Sequence, residues 1–289
     1  MRVVLTGASG QLGAYLVEEL VARGHQVTAW SGSSHGERSG IPLVPVDLTD
    51  PSATEPALSA VDPDVVVHVA AISAAEAVRR DPERGEAVNV VATERLAQWC
   101  ARRGRRLVYT STDLVFDGSK AWNREDDPAE PVIAYGRTKR AAEASVLEVP
   151  SGLVARASLL FGPSRCGRPS FFSRMIDALK LGQPQALFVD EFRTPLHLAT
   201  AATLLVRLAE SPITGLIHVA GTERLSRFEL MRRTAAALGL DLALVLPNSR
   251  ADVTGPDPRP ADVSLDTSRL AALLPNVRRP SIEEGLAAL

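Results

Sequence analysis

Arg2-Val3-Val4-Leu5-Thr6-Gly7-Ala8-Ser9-Gly10-Gln11-Leu12-Gly13 opens the chain with an apolar strand that runs into a glycine-rich turn. Strands buried on both faces read as such uninterrupted apolar runs. Beyond the turn, Leu12, Leu16, Leu20 and Val21 recur at helical spacing as far as Gly24, which predicts a helix. Strand, glycine turn and helix in this order bring backbone N–H groups and a helix N-terminus against an anion such as a pyrophosphate. The first glycine interval is one residue wider than in the commonest dinucleotide fingerprint, so placement between strand and helix carries the reading more than spacing does.

Working outward, Gln26 to Trp30 is predicted as the second strand. An acidic residue at its end would bond the adenosine ribose hydroxyls and favour NAD, but here Trp30-Ser31-Gly32-Ser33-Ser34 follows, with Arg38 nearby. NADP(H) is therefore the preferred cofactor and NAD(H) a possible one. Leu43 to Val46 predicts a third strand, leading to Asp47-Leu48, whose carboxylate is placed to accept from an adenine amino group. A helix is expected from about Ala53 to Ala60. Val65 to Ala71 predicts a buried strand ending in small residues, and His68 within it reads as a satisfied core histidine. Glu86 to Arg103 reads as one long helix, with Asn89 facing either the active site or the surface.

Leu107-Val108-Tyr109-Thr110 predicts another buried strand, continuing into Ser111-Thr112-Asp113. After a loop, a helix opens with Tyr135-Gly136-Arg137-Thr138-Lys139. Tyr135 and Lys139 lie four positions apart and share a helix face. A neighbouring ammonium favours the phenolate, so Lys139 is expected to lower the Tyr135 pKa toward the range of acid/base catalysis. Thr112 stands where a hydroxyl could hold a substrate oxygen.

Gly152 to Ala157 completes an alternation of strands and helices that implies an α/β fold with a doubly wound parallel sheet. Beyond it the pattern changes: a loop over Gly162 to Pro169, helices over Phe171 to Leu181, Leu196 to Ala209 and Arg227 to Leu238, a strand over Leu216 to Val219, and a Pro-rich loop or flap over Pro247 to Pro260. The division expected is a nucleotide-binding domain over 1–157, with 196–219 returning to it, and a small substrate lobe from 158–195 and 220–289.

Composition narrows the function. A net charge of −2 gives no electrostatic case for nucleic acid or an anionic membrane. The apolar start is interrupted too soon for a signal sequence or a membrane span. Cys100 and Cys166 read as reduced thiols of a cytoplasmic protein, and no residue set has metal-ligand spacing.

Thr6 to Gly13, Ser111-Thr112-Asp113 and Tyr135 to Lys139 together resemble the extended short-chain dehydrogenase/reductases. With Asp113-Leu114-Val115-Phe116-Asp117-Gly118 and Arg259-Pro260 through Leu265-Asp266, the chain is similar to their dTDP-4-dehydrorhamnose reductase branch. The resemblance implies a Rossmann-type sheet, a smaller C-terminal α/β lobe closing over a nucleotide sugar, and an oxidoreductase that reduces a keto group with NADPH. It assigns Thr112, Tyr135 and Lys139 to catalysis. It assigns Gly7, Ser9, Gly10, Gln11, Leu12, Asp47, Leu48, Ala70, Ala71 and Ser111, with Tyr135 and Lys139, to the cofactor. Thr112, Asp113, Leu159, Arg193 and Arg259 are implied substrate contacts. Leu114 stands where sugar dehydratases carry a second acid, which argues against dehydration. Leu159 stands where the rhamnose reductases typically carry a tryptophan; the similar regulatory β subunit of methionine adenosyltransferase likewise carries an aliphatic residue there. A cofactor-loaded regulatory subunit and a sugar-nucleotide epimerase are the alternatives, and a homodimer is a possible assembly.

Overall fold

The computed structural model describes residues 1–253 and 255–287. Within the Pro247 to Pro260 loop, Thr254 lies outside the described residues. The strands are β1 (Arg2–Thr6), β2 (Gln26–Trp30), β3 (Glu37–Arg38), β4 (Ile41–Val44), β5 (Val65–His68), β6 (Arg106–Thr112) and β7 (Gly152–Ala157). With Gly215–Val219 they form one eight-stranded sheet, in the order Gly215–Val219, β7, β6, β5, β1, β2, β4, β3. Every pairing is parallel except the short β3 hairpin at the edge.

Strand alternation explains the continuous apolar runs. Val3, Leu5, Val65, Val67, Val108, Leu153 and Ala155 point to one face, where helix α1 (Gln11–Ala22) and the helix Leu198–Glu210 cover them. Val4, Val66, Leu107, Tyr109 and Val154 point to the other, beneath Leu58, Leu96, Ala142 and Val146. Each strand is wrapped on both sides, so no polar alternation is required. The chain runs from β1 out through β2 and β4, then crosses back to β5, β6 and β7. This leaves a crevice between β1 and β5 at the carboxyl ends of the strands, where doubly wound sheets bind ligands.

The long helix expected over Glu86 to Arg103 is broken. A π turn, Ala87–Val91, separates Pro82–Glu86 from Ala92–Arg103. The wide turn sets buried Asn89 inward, where its carboxamide oxygen accepts from the Ile72 N–H (2.8 Å) and its amide donates to Thr138 Oγ1 (3.0 Å). Such bulges recur at functional sites. β5 ends at His68 rather than Ala71, because the Ala70 N–H turns to Thr6 Oγ1 (3.2 Å). His68 is a satisfied core residue, bonded to Thr6 Oγ1 (2.7 Å) and Thr93 Oγ1 (2.9 Å), and burial pushes its pKa down to about 3.

The C-terminal lobe has its own core of Phe161, Phe172, Ile176, Leu187, Leu230 and Met231, among others. Its short strand pairs escape the sequence pattern. β8 (Leu160–Phe161) pairs with Leu196–His197, Gln185–Phe188 with Val245–Asn248, and Phe192–Arg193 with Leu225–Ser226. Leu196 therefore belongs to a strand, and the following helix starts at Leu198 with the His197 ring as its cap.

Candidate active site

A cavity of ≈ 970 Å³ lies along the carboxyl ends of the strands. One end is lined by Ser31 to Ser34 with Asp47 and Leu48, the middle by Gly7 to Gly13 and Ala70 to Ala71, and the far end by Ser111, Thr112, Tyr135 and Lys139. All the residues expected to bind the cofactor or catalyse thus face one space.

The middle of this cavity is shaped for close backbone approach. Gly7 has φ +71°, and a Cβ there would stand 2.8 Å from Ala70 Cα; at Gly13 a Cβ would stand 2.1 Å from the Gly7 carbonyl oxygen. Buried Gln11 Oε1 and Thr110 Oγ1, both on cavity-lining residues, have no protein partner. Bare backbone at the N-terminus of α1, where the first N–H groups of the helix are free to donate, fits a dinucleotide pyrophosphate. Gly13→Ala is expected to force the turn apart and cost about 1–3 kcal/mol, in the manner of overpacking. Loss of dinucleotide affinity by titration, together with a lowered midpoint in urea, checks this.

At the catalytic end the helix Ala134–Leu147 sits directly on the turn that follows β6. A side chain at Gly136 would stand 2.1 Å from the Leu114 carbonyl oxygen, so glycine lets the tyrosine helix approach Thr112. The Thr112 hydroxyl donates to Asp113 Oδ1 (3.1 Å) and accepts from the Leu114 N–H (3.2 Å). Tyr135 differs from expectation in its titration. Burial, and then the Asp113 carboxylate, push its phenol well above the ordinary tyrosine value, while Arg193 and Thr112 pull it partly back. Lys139 is buried, with its ammonium over the Tyr109 ring, 4.1 Å from the centroid. Desolvation lowers its pKa to about 7 against the opposing pull of Glu143.

Of the expected substrate contacts only Thr112 is on the cavity wall. Asp113 is fully buried, accepting from Ser158 Oγ (2.7 Å), Arg193 Nε (2.5 Å) and Arg193 Nη2. Asp113 and Arg193 are therefore spent on each other, as a buried charge pair must be. Leu159 packs against the C-terminal core, and its neighbour Leu160 faces the cavity instead. Arg259 donates to Glu191 (3.0 Å) and stacks on Phe188. Arg38 donates to the Cys166 carbonyl (3.0 Å) and is not on the wall; Arg84 and Arg168 are, and Arg168 donates to the Ser9 carbonyl (2.9 Å). Ser158, Ser170, Phe171 and Leu198 also line the cavity. Nothing in their local sequence marks them, because they arrive only when the C-terminal segments fold back.

A doubly wound sheet whose glycine turn faces a Thr-Tyr-Lys constellation across one cavity defines a dinucleotide-dependent oxidoreductase of the short-chain dehydrogenase/reductase class. Within that class the chain belongs to the RmlD substrate binding domain family, whose model matches residues 1–289. It is 35% identical over 280 residues to a dTDP-4-dehydrorhamnose reductase of Streptomyces griseus, covering 94% of this chain and 87% of that one. It is 32% identical over 288 residues to the methionine adenosyltransferase 2 subunit beta of Bos taurus, covering 96% and 84%. A crystal structure of dTDP-4-dehydrorhamnose reductase from Bacillus anthracis in complex with NADP superposes with a TM-score of 0.88 at 25% identity, covering 99% of this chain and 97% of that one. Among the described residues, no helix is long and apolar enough to cross a membrane and no cluster could hold a metal ion.

Proposed function

We propose that this protein reduces the keto group of a nucleotide-activated sugar of the dTDP-4-dehydrorhamnose kind, with NADPH as the reductant. The observation that carries this is the single cavity joining the glycine turn to Thr112, Tyr135 and Lys139. Relatives of high coverage named dTDP-4-dehydrorhamnose reductase, and a like structure holding NADP, support it. Ser31 to Ser34, without a carboxylate, leave room for a 2′-phosphate at the adenosine end.

When bound, the nicotinamide supplies hydride to the carbonyl carbon. Tyr135 supplies the proton to the carbonyl oxygen, and its burial keeps the phenol in the protonated form a donor needs. Thr112 turns its hydroxyl from Asp113 to the same oxygen; Asp113 stays satisfied by Ser158 and Arg193. Lys139 holds the cofactor's ribose beside the tyrosine. The C-terminal wall, with Ser158, Leu160 and Phe171, receives the sugar nucleotide and excludes water. The setting proposed is the cytoplasm, in keeping with the free, buried thiols of Cys100 and Cys166. Whether the chain pairs as a homodimer, the possible assembly, is read from its mass in solution.

Oxidation of NADPH, followed by loss of its near-ultraviolet absorbance, is expected with dTDP-4-dehydro-6-deoxyhexoses and to be slower with NADH. Tight NADPH binding with no oxidation by any 4-keto nucleotide sugar would overturn this reading.

A further inference from the structure

The loop Gly162 to Pro169 leaves the C-terminal lobe and lies across the glycine turn, away from the chemistry at Tyr135. It is fastened from both sides. The Tyr15 hydroxyl of α1 donates to the Pro163 carbonyl (2.8 Å), and Arg165 pairs with Glu18 of the same helix. Gln11 Nε2 donates to the Arg168 carbonyl (2.5 Å), and Arg38 of β3 donates to the Cys166 carbonyl (3.0 Å). These bonds set the exposed Arg168 guanidinium against the Ser9 carbonyl (2.9 Å), on the cavity wall. Ser9 is itself anchored to the end of β2: its hydroxyl donates to the Ser31 carbonyl (3.2 Å), and the Ala8 N–H beside it donates to the Trp30 carbonyl (2.9 Å). Arg168 thus reaches the adenosine end of the cavity from the other lobe.

The end of β2 is where a dinucleotide fold distinguishes a ribose 2′-phosphate from a 2′-hydroxyl. Around it the charges favour an anion. Among the described residues Arg168 and Arg38 form no ion pair; each donates to backbone carbonyls only. Asp47, the one carboxylate among the described wall residues, is spent locally, its Oδ1 accepting from the Thr49 N–H (2.9 Å) and the Thr49 hydroxyl (2.7 Å). Ser31, Ser33 and Ser34 supply hydroxyls on the same stretch of wall. A single carbonyl is a poor match for a guanidinium, whose planar fork fits two phosphate oxygens. We propose that Arg168 is the residue that selects NADP(H) over NAD(H): its guanidinium exchanges the Ser9 carbonyl for the ribose 2′-phosphate. Arg38, nearer to β2 in sequence, acts behind it as a positioning residue, because it holds the Cys166 carbonyl and with it the loop that carries Arg168. NAD(H) offers only a hydroxyl in that place, so Arg168 stays on Ser9 and adds nothing to its binding.

The inference rests on the NADPH part of the proposed function, and its test needs no sugar substrate. Dissociation constants for NADPH and NADH are measured by fluorescence titration of the wild-type chain, Arg168→Met, Arg168→Lys and Arg38→Met. Adenosine 2′,5′-bisphosphate and adenosine 5′-monophosphate, which differ only in the 2′-phosphate, serve as competitors. Arg168→Met is expected to weaken NADPH and the bisphosphate by about 10–100-fold, the worth of hydrogen bonds to a charged group, and to leave NADH and the monophosphate within about twofold. Arg168→Lys keeps the charge without the fork and is expected to fall between. Arg38→Met is expected to weaken NADPH by less than Arg168→Met does. Because Arg168 is exposed, its variants should keep the wild-type urea midpoint, which separates lost recognition from lost folding. Equal weakening of NADPH and NADH in Arg168→Met would place the guanidinium at the pyrophosphate they share and overturn the proposal. Unchanged affinities, or a larger NADPH loss in Arg38→Met, would overturn it too. A wild-type chain that binds neither dinucleotide would remove the reductase reading along with it, whereas one that oxidises NADPH with a 4-keto nucleotide sugar, yet shows no discrimination through Arg168, would remove this inference alone.

Discussion

Tyr135→Phe is expected to lower kcat by about 10²–10⁴-fold, the usual worth of a positioned proton donor, while NADPH binding is retained. The phenol is the donor whose proton burial and Asp113 hold in place across the neutral range at the catalytic end of the cavity. Thr112 is an alcohol already committed to Asp113 Oδ1, and the lysine lies over Tyr109. Phenylalanine keeps the ring and its packing, so binding and turnover separate cleanly. Single-turnover rates at saturating NADPH, beside a fluorescence titration of the cofactor, make the measurement. Turnover preserved in the variant would remove Tyr135 from the mechanism. The same experiment bears on the raised phenol pKa. Because burial and Asp113 hold the proton on Tyr135 across the neutral range, the wild-type rate should not fall at high pH through loss of the tyrosine proton before the Lys139 limb near 7 is passed.

Asp113→Ala is expected to destabilise the fold by about 3–5 kcal/mol, because it leaves the Arg193 guanidinium buried without its partner. The pair joins the turn after β6 to the strand Phe192–Arg193 of the C-terminal lobe, with Ser158 bonded to both the carboxylate and the Thr194 N–H (3.1 Å). Its loss should loosen the lobe against the sheet and release Thr112 from the orientation its bond to Asp113 imposes. The urea midpoint of the single variant, compared with that of Asp113→Asn combined with Arg193→Met, makes the test. The double variant should recover much of the loss, since no buried charge is then left unpaired. Equal loss in both would show that the charge pair is not what Asp113 contributes.

How far the site is legible in the chain depends on whether its residues are local. Gly7 to Gly13 and Tyr135 to Lys139 are each contiguous, so hydrophobic period, glycine spacing and the four-residue repeat of one helix face expose them. Arg193 and Asp113 are also visible as chemistry-bearing residues, yet their use is not. Eighty positions separate them, and only the fold shows that they neutralise each other rather than meet a substrate. Arg38 and Arg168 exchange places for a similar reason. Arg38 is close to β2 in sequence but its guanidinium binds the Cys166 carbonyl, whereas Arg168 reaches the glycine turn from a distant loop.

The doubly wound sheet and the grouping of Thr112, Tyr135 and Lys139 as candidate site residues were decided by the sequence itself, because backbone periodicity and contiguous motifs are local properties that survive without knowledge of the rest of the chain. The π turn that aims Asn89 inward, the small parallel strand pairs of the C-terminal lobe and the protonation of Tyr135 and Lys139 were decided by tertiary structure alone. Each depends on which groups from remote segments are packed together and how much water they exclude, and desolvation and Coulomb interactions act through space rather than along the chain.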